Sequence, residues 1–258
     1  MIGAPSSRRV LAEARAMVQR LIDLEIVDRS LVVAAQAFSA MIPLLIVLAS
    51  VGAHDGGSLA DTLIHRFDLS GDGADAVRRA FAGPANGSSI TVFGGLFVIF
   101  SSLSFTRALQ RLFERTWELP KHGMRTAASW GLSWIGFFAI YWALFPVVSD
   151  TFNGPYGWIV GLGGTFAFWS VTPYLLLARR VPWERLVLQG GLTAVGMTIV
   201  TTGGAIYAPR AMSSAASEFG SIGVAFTLLT LLWAGGFVLV GAAALGSYPF
   251  VRDHATRG

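Results

Sequence analysis

Charge is what this chain lacks over most of its length. Six stretches hold no Asp, Glu, Lys or Arg: 30–53, 80–106, 126–149, 151–178, 186–209 and 219–251. They run 24, 27, 24, 28, 24 and 33 residues, 160 of 258 in all. Charged residues make up 13% of the chain, about half the share of a soluble domain. A soluble surface must be charged somewhere, so the pattern excludes a soluble globular protein. A bilayer-spanning helix needs about 20 mostly apolar residues. The six windows therefore predict six spanning helices.

Cysteine is absent. That excludes disulfides, thiolate metal sites and Cys nucleophiles. The four histidines, His54, His65, His122 and His254, all lie outside the predicted spans. An intramembrane zinc protease of the HExxH kind is thereby excluded. Gly220-Ser221-Ile222-Gly223 has the outline of a nucleophile loop, but no intramembrane His stands ready as its base. Walker and Rossmann motifs and paired intramembrane carboxylates are also missing. A proton relay needs buried acids. A coupled transporter would have to draw on Glu114, Glu118, Asp150 or Glu218 at the span ends. The expectation is a protein that is not an enzyme, with no metal and no cofactor.

Apolar residues make up 53% of the chain, and glycine is frequent at 30. Both fit helices packed closely in lipid. The cations are unevenly placed. With the N-terminus inside, 15 Lys and Arg fall on the cytoplasmic side and 4 (Arg66, Arg78, Arg79 and Arg210) on the other. This is a positive-inside signature. It predicts both termini in the cytoplasm, and it explains the basic pI by orientation and anionic-lipid contact. Nucleic acid is not an expected partner, because no groove-reading motif is present.

The chain reads as one all-α membrane domain with appendages. Residues 1–29 hold a cytoplasmic amphipathic helix, with Val10, Ala14, Met17, Val18, Leu21 and Ile22 at helical spacing over 8–27. Asp28 is the expected N-cap of the first span. Residues 30–246 form the six-helix membrane domain, with spans near 30–52, 88–106, 127–149, 155–178, 186–206 and 221–246. An acidic outer loop, 54–88, carries two short amphipathic segments. A second outer loop covers 207–219, and a short cytoplasmic tail covers 247–258. Pro43 should kink the first span. Gly157, Gly161 and Gly164 should allow close helix approach. The Gly-rich faces of spans four and six leave intramolecular packing and a homo-oligomer both open.

Polar residues near the spans supply the candidate substrate site: Gln36, Pro43, Ser102, Arg107, Gln110, Arg111, Glu114, Trp117, Glu218, Gly220, Gly223 and Trp233. The second span does not stop cleanly but continues as one long helix through Ser101–Trp117. Arg107, Arg111 and Glu114 share a face on it at i, i+4 and i+7. Two readings stand for this segment. One is a snorkelling helix end; the other is an anion or lipid-headgroup site lined by Arg107, Gln110 and Arg111, since Arg suits bidentate phosphate contact. The serines beside it and Gln36 serve either helix–helix bonding or a polar pathway. Glu218 meets the dipole of the last span, or a substrate. Trp233 serves packing or function.

Several segments together resemble the YihY/BrkB family of membrane proteins. The stretch Ala34-Ala35-Gln36-Ala37-Phe38-Ser39-Ala40-Met41-Ile42-Pro43-Leu44-Leu45 resembles that family's first span. Ser101 through Trp117 looks like its small-polar, Arg-rich, aromatic segment. Val181-Pro182-Trp183 with Gln189-Gly190-Gly191 resembles the approach to its fifth span. Phe219-Gly220-Ser221-Ile222-Gly223, Leu231-Leu232-Trp233 and Leu239-Val240-Gly241-Ala242 resemble its last. Two departures stand out: Phe219 where the family commonly has Tyr, and Ala243 where it often has an acid. The resemblance implies a multi-pass inner-membrane protein of the bacterial envelope, from a family linked to virulence and serum resistance. It implies transport or translocation of a lipid or other envelope substrate, with membrane lipids as partners; a non-transporting scaffold in envelope integrity is the alternative. The family once carried a ribonuclease label, which the residues here do not support.

Overall fold

In the computed structural model the described residues are 7–52, 61, 64, 71, 74, 75, 78, 87–151 and 157–255. Every regular element among them is helical, so the all-α expectation holds for those residues. The helices are α1 (Ser7–Asp23), α2 (Ile26–Gly52), α3 (Gly87–Thr116), α4 (Met124–Thr151), α5 (Gly157–Leu176) and α6 (Trp183–Ala255). Among the described residues, three segments suffice by length and composition to cross a membrane: Met124–Leu144, Gly157–Leu176 and Trp183–Pro249. Their apolar side chains point largely outward. Only 11% of the first window and 22% of the second are buried. In water such surfaces would aggregate; in lipid they are the ordinary solvent-facing surface.

Three helix ends share one device. After α1, Glu25 takes φ 50°; after α3, Glu118 takes φ 52°; after α5, Ala178 takes φ 53°. At the α3 end Leu119 N–H donates to Glu114 O at 2.8 Å and Glu118 N–H to Arg115 O at 3.2 Å. At the α5 end Arg179 N–H donates to Tyr174 O at 3.0 Å and Ala178 N–H to Leu175 O at 2.9 Å. These are Schellman closures, which satisfy the last carbonyls of each helix. Glycine usually fills the left-handed position; here Glu118 and Ala178 carry its steric cost.

The early break at Glu25 changes two boundaries. The N-terminal helix stops at Asp23 and α2 begins at Ile26, so Asp28 lies in the first turn of α2 and is not its N-cap. There its charge still meets the positive end of the helix. The backbone of α2 remains helical through position 43, and the Pro43 side chain lies outside the described residues. So does most of the 54–88 loop.

The last third of the chain departs furthest from expectation. Residues 207–219 are helical, not a loop, and the final helix runs to Ala255, so most of the expected tail is helical too. Ala208, Ala211, Met212, Ala215 and Ala216 are strong helix formers, and they carry the first arm of α6 past Pro209. The one interruption is Gly220, at φ 62° and ψ −142°. This is a conformation that only glycine adopts readily. There the chain folds back into two antiparallel arms, 183–219 and 221–255.

The chain divides into two compact units. One holds Met1–Leu31, Leu109–Gly196 and Phe237–Gly258; the other holds Val32–Ala108 and Met197–Gly236. In the first, α4 packs on α5 through Phe137, Phe138 and Tyr141 around Phe168, with Phe137 stacked on Phe168 at 5.6 Å, and through Trp134 Nε1–H donating to Thr172 Oγ1 at 3.2 Å. In the same unit the two arms of α6 meet where a Cβ on Gly246 would stand 2.6 Å from the Gln189 Cβ. The second unit has its apolar core at Ile64, Ala74, Ala208 and Met212, with Leu228 and Leu231 against it. Ile64 and Ala74, two of the described residues of the acidic loop, pack onto the α6 hairpin.

Gly161 and Gly164 of α5 do not mediate close approach. A Cβ on Gly161 would meet nothing within 4 Å, and one on Gly164 would touch only the Tyr141 hydroxyl, at 3.6 Å. The Gly161 side of α5 faces outward. The tight contacts fall instead on α6: at Gly190, where Ser170 packs, at Gly196, where Val238 packs, at Gly223, where the Ala215 carbonyl packs, and at Gly246.

Candidate functional site

The end of α3 is where the first unit gathers its charges. Glu114 is buried, its side chain 7% exposed. Its Oε1 accepts from Arg180 Nη2 at 3.0 Å and from the backbone N–H of His122 at 3.0 Å. His122 Nδ1 closes on the same oxygen and lies 2.8 Å from Arg180 Nη2. Arg180 is fully engaged: Nε donates to Leu177 O at 3.1 Å and Nη1 to Pro120 O at 2.6 Å. The node ties the α3 end, the 117–123 connection and the α5–α6 turn together.

Two further polar links surround it. Trp117 is fully buried, and its Nε1–H donates to Gln189 Oε1 at 2.9 Å. Arg20 reaches in from α1, donating through Nη2 to Thr116 O at 2.9 Å and to Ser247 Oγ at 3.2 Å. The Arg20 guanidinium also lies over the Tyr248 ring at 5.9 Å. Its contact with Glu118, at 3.5 Å, is solvent-exposed and contributes little. Buried polar groups of this kind lock helices together in lipid, where apolar contacts alone give no hydrophobic drive.

The predicted site residues separate into several surroundings. In the first unit Gln110 is 3% exposed and donates through Nε2 to Ala127 O at 2.9 Å, while Arg111 is exposed. Glu114 and Trp117 join the network just described. In the second unit Gln36 Oε1 accepts from Ser104 Oγ at 3.0 Å, and Ser102 and Arg107 are half-buried. Glu218 is exposed, Gly220 makes the bend and Gly223 makes the close contact. Trp233 is 39% exposed. Arg20, His122, Arg180 and Gln189 were not assigned to the candidate site from sequence, although Gln189 lies in a stretch that carries the family resemblance. His122 and Arg180 follow helix ends, where loop composition looks uninformative.

The second unit contains a cavity of about 360 Å³ at the α6 bend. Its walls include Tyr207, Phe219, Ile222, Phe226, Thr227 and Thr230. The apolar walls are broken by one phenol and two threonines. Thr227 Oγ1 donates to Gly223 O at 3.0 Å and Thr230 Oγ1 to Phe226 O at 2.9 Å, so both hydroxyls retain acceptor capacity. Phe219, Ile222, Phe226 and Tyr207 are each 60% exposed or more. The cavity is an open, greasy groove, suited to a chain of methylenes. Among the described residues no group of three His or acidic side chains could hold a metal ion.

A family model described as "Virulence factor BrkB" matches residues 17–248. The chain belongs to the BrkB virulence factor family. The match takes in both the α3-end network and the groove. With three helices long and apolar enough to cross a bilayer, this BrkB-family chain is a membrane protein. No curated protein and no solved structure matches it.

Proposed function

We propose that this BrkB-family protein is a translocase of a lipid or another amphiphilic envelope substrate. In this reading it spans a bacterial inner membrane six times, with both termini in the cytoplasm. α2 and α3 supply the first two spans, α4 and α5 the next two, and the two arms of α6 the last two. The 15-to-4 distribution of Lys and Arg supports the orientation. In this reading the Glu114 network lies on the inner side.

The observation that carries the reading is the groove at the α6 bend. It is apolar, open and about 360 Å³, within the usual size of a small-ligand pocket. A lipid leaving the outer leaflet would lay its acyl chain along Phe219, Ile222 and Phe226. Thr227, Thr230 and Tyr207 would meet its ester and headgroup edge. We assign the chain no catalytic role.

Reconstituted full-length protein with a trace of headgroup-labelled lipid tests this, with quenching followed from one side. Thr227→Phe fills the groove without touching the bend. The expected result is translocation above empty liposomes that Thr227→Phe reduces by about tenfold, the loss corresponding to about 1.4 kcal/mol of interaction. Equal rates in protein-containing and empty vesicles would sink the proposal. A scaffold role is the second reading. The pairing of Glu114, Arg180 and Arg20 within the protein favours it, since those charges serve internal bonds.

A further inference from the structure

The two neighbouring arginines that follow α5 do opposite things. Arg180 turns inward to Glu114. Arg179 turns outward and is exposed, its guanidinium 5.4 Å from the Trp130 ring centre and 5.6 Å from that of Tyr174. Its backbone is left-handed, φ 57°, directly after left-handed Ala178, φ 53°. Two consecutive non-glycine residues in that region carry steric cost. That backbone carries Arg179 back over the end of its own helix. Its position is therefore fixed by the backbone and by two aromatic rings, where an ordinary surface arginine is free to sweep. None of its guanidinium N–H groups bonds to another described residue.

Its location is equally defined. Trp130 lies on Met124–Leu144 and Tyr174 on Gly157–Leu176, two segments able to span a bilayer. The Trp134–Thr172 bond, 3.2 Å, and the Phe137–Phe168 stack show these helices paired antiparallel. Trp130 and Tyr174 thus mark the same end of both spans, the depth at which Trp and Tyr collect at the membrane boundary. The surface around that end is basic. Along 109–196 of this unit Arg111, Arg115, Lys121, Arg125, Arg179 and Arg185 are exposed, against exposed Glu118 and Glu184; its N-terminal part adds exposed Arg15, Asp23, Glu25 and Asp28.

We propose that Arg179, held between Trp130 and Tyr174, is a binding site for the phosphate of an anionic phospholipid. The planar guanidinium presents paired donors matched to a phosphodiester. The rings hold it at headgroup depth by cation–π attraction and offer apolar edges to the upper acyl chain. Ordering the side chain in advance removes part of the entropic cost of binding. The site is separate from the groove, and its test reads binding, so its failure and the failure of translocation are distinguishable.

The experiment is native mass spectrometry of the full chain in detergent, titrated with phosphatidylglycerol, phosphatidylcholine or inorganic phosphate. Wild type should retain phosphatidylglycerol in preference to phosphatidylcholine. Arg179→Gln should lower its occupancy about tenfold, the size expected for one charge-assisted contact. Arg179→Lys keeps the charge but not the plane and should fall between. The double variant Trp130→Leu/Tyr174→Leu should weaken binding although Arg179 remains. Arg115→Gln, an equal loss of charge nearby, should leave occupancy unchanged. Equal occupancy in wild type and Arg179→Gln overturns the proposal. So does an equal drop in Arg115→Gln, which would mean only diffuse charge. Displacement of phosphatidylglycerol by equimolar inorganic phosphate would overturn the lipid assignment in favour of a soluble anion.

Discussion

Trp117 and Gln189 stand 72 positions apart in sequence and meet in the dry interior of one unit, indole Nε1–H to amide Oε1 at 2.9 Å. Both are essentially inaccessible, at 0% and 1% exposure. The partners were chosen by packing, because the close approach at Gly246 sets the Gln189 backbone in place. Without the indole the amide oxygen has no water to turn to, and a buried unsatisfied acceptor costs about 1–3 kcal/mol.

Trp117→Phe is therefore expected to lower the thermal midpoint in detergent measurably, by more than its small loss of volume explains. Trp117→Phe combined with Gln189→Met removes both polar partners and should recover part of the loss. The cycle is read by unfolding of the four proteins. Strict additivity of the two single changes would show that the bond contributes nothing.

The Glu114 node predicts an order among substitutions. Glu114→Gln retains an acceptor for Arg180 but not the charge; Glu114→Leu leaves Arg180 facing apolar atoms. Breaking a buried pair by removing one partner costs about 3–5 kcal/mol. Arg180 is 26% exposed, so the lower end applies. Arg180→Lys should also destabilise, because an ammonium cannot reach Leu177 O, Pro120 O and Glu114 together. Fluorescence-detected size exclusion after heating ranks the variants, with Glu114→Leu expected worst. Glu114→Leu behaving like wild type would reduce the node to a surface contact.

The same node marks where sequence reasoning stops. Spacing alone placed Glu114 on a face with Arg107 and Arg111, because i, i+4 and i+7 neighbours are all that one helix reveals. Its partners are His122 and Arg180, 8 and 66 positions away. Charge gaps and helical run lengths were legible, so the all-α class and the long continuous α3 followed from sequence. Pro209, Arg210 and Glu218 looked like loop punctuation, yet an Ala-rich helix absorbs them on its exposed face. Glycine counts announced close packing but not which face packs. The charge asymmetry could be read as topology, while the fixing of Arg179 by two rings depends on a helix register that composition does not contain.

Arg20 offers a test of how α1 is held. It bridges Thr116 O and Ser247 Oγ while Val18 and Ile22 are exposed at 55% and 62%. Arg20→Ala removes the bridge and leaves the Thr116 carbonyl unsatisfied. Limited proteolysis in detergent should then cut within α1 or at Leu24–Glu25 several-fold faster, while the rest of the chain stays resistant. An unchanged digestion pattern would mean that apolar contacts alone dock the helix.

Glycine substitutions separate three kinds of position. At Gly161 an added methyl meets nothing within 4 Å, and replacing a mid-helix glycine with alanine stabilises by about 0.5–1 kcal/mol. Gly161→Ala should therefore be neutral or raise the thermal midpoint. At Gly220 the methyl also finds open space, but φ 62° and ψ −142° penalise any side chain, by about 1–3 kcal/mol. At Gly246 the helical backbone is ordinary, but the methyl would sit 2.6 Å from the Gln189 Cβ and 2.8 Å from its Cα. The arms of α6 would have to part there, disturbing the Trp117–Gln189 bond. Overpacking costs about 1–3 kcal/mol, and the lost bond adds to it. The expected order of thermal midpoints is Gly161→Ala highest, Gly220→Ala lower and Gly246→Ala lowest. If Gly246→Ala matched wild type while Gly161→Ala unfolded, the close helix contact would belong to α5 and the packing described for the two arms would be wrong.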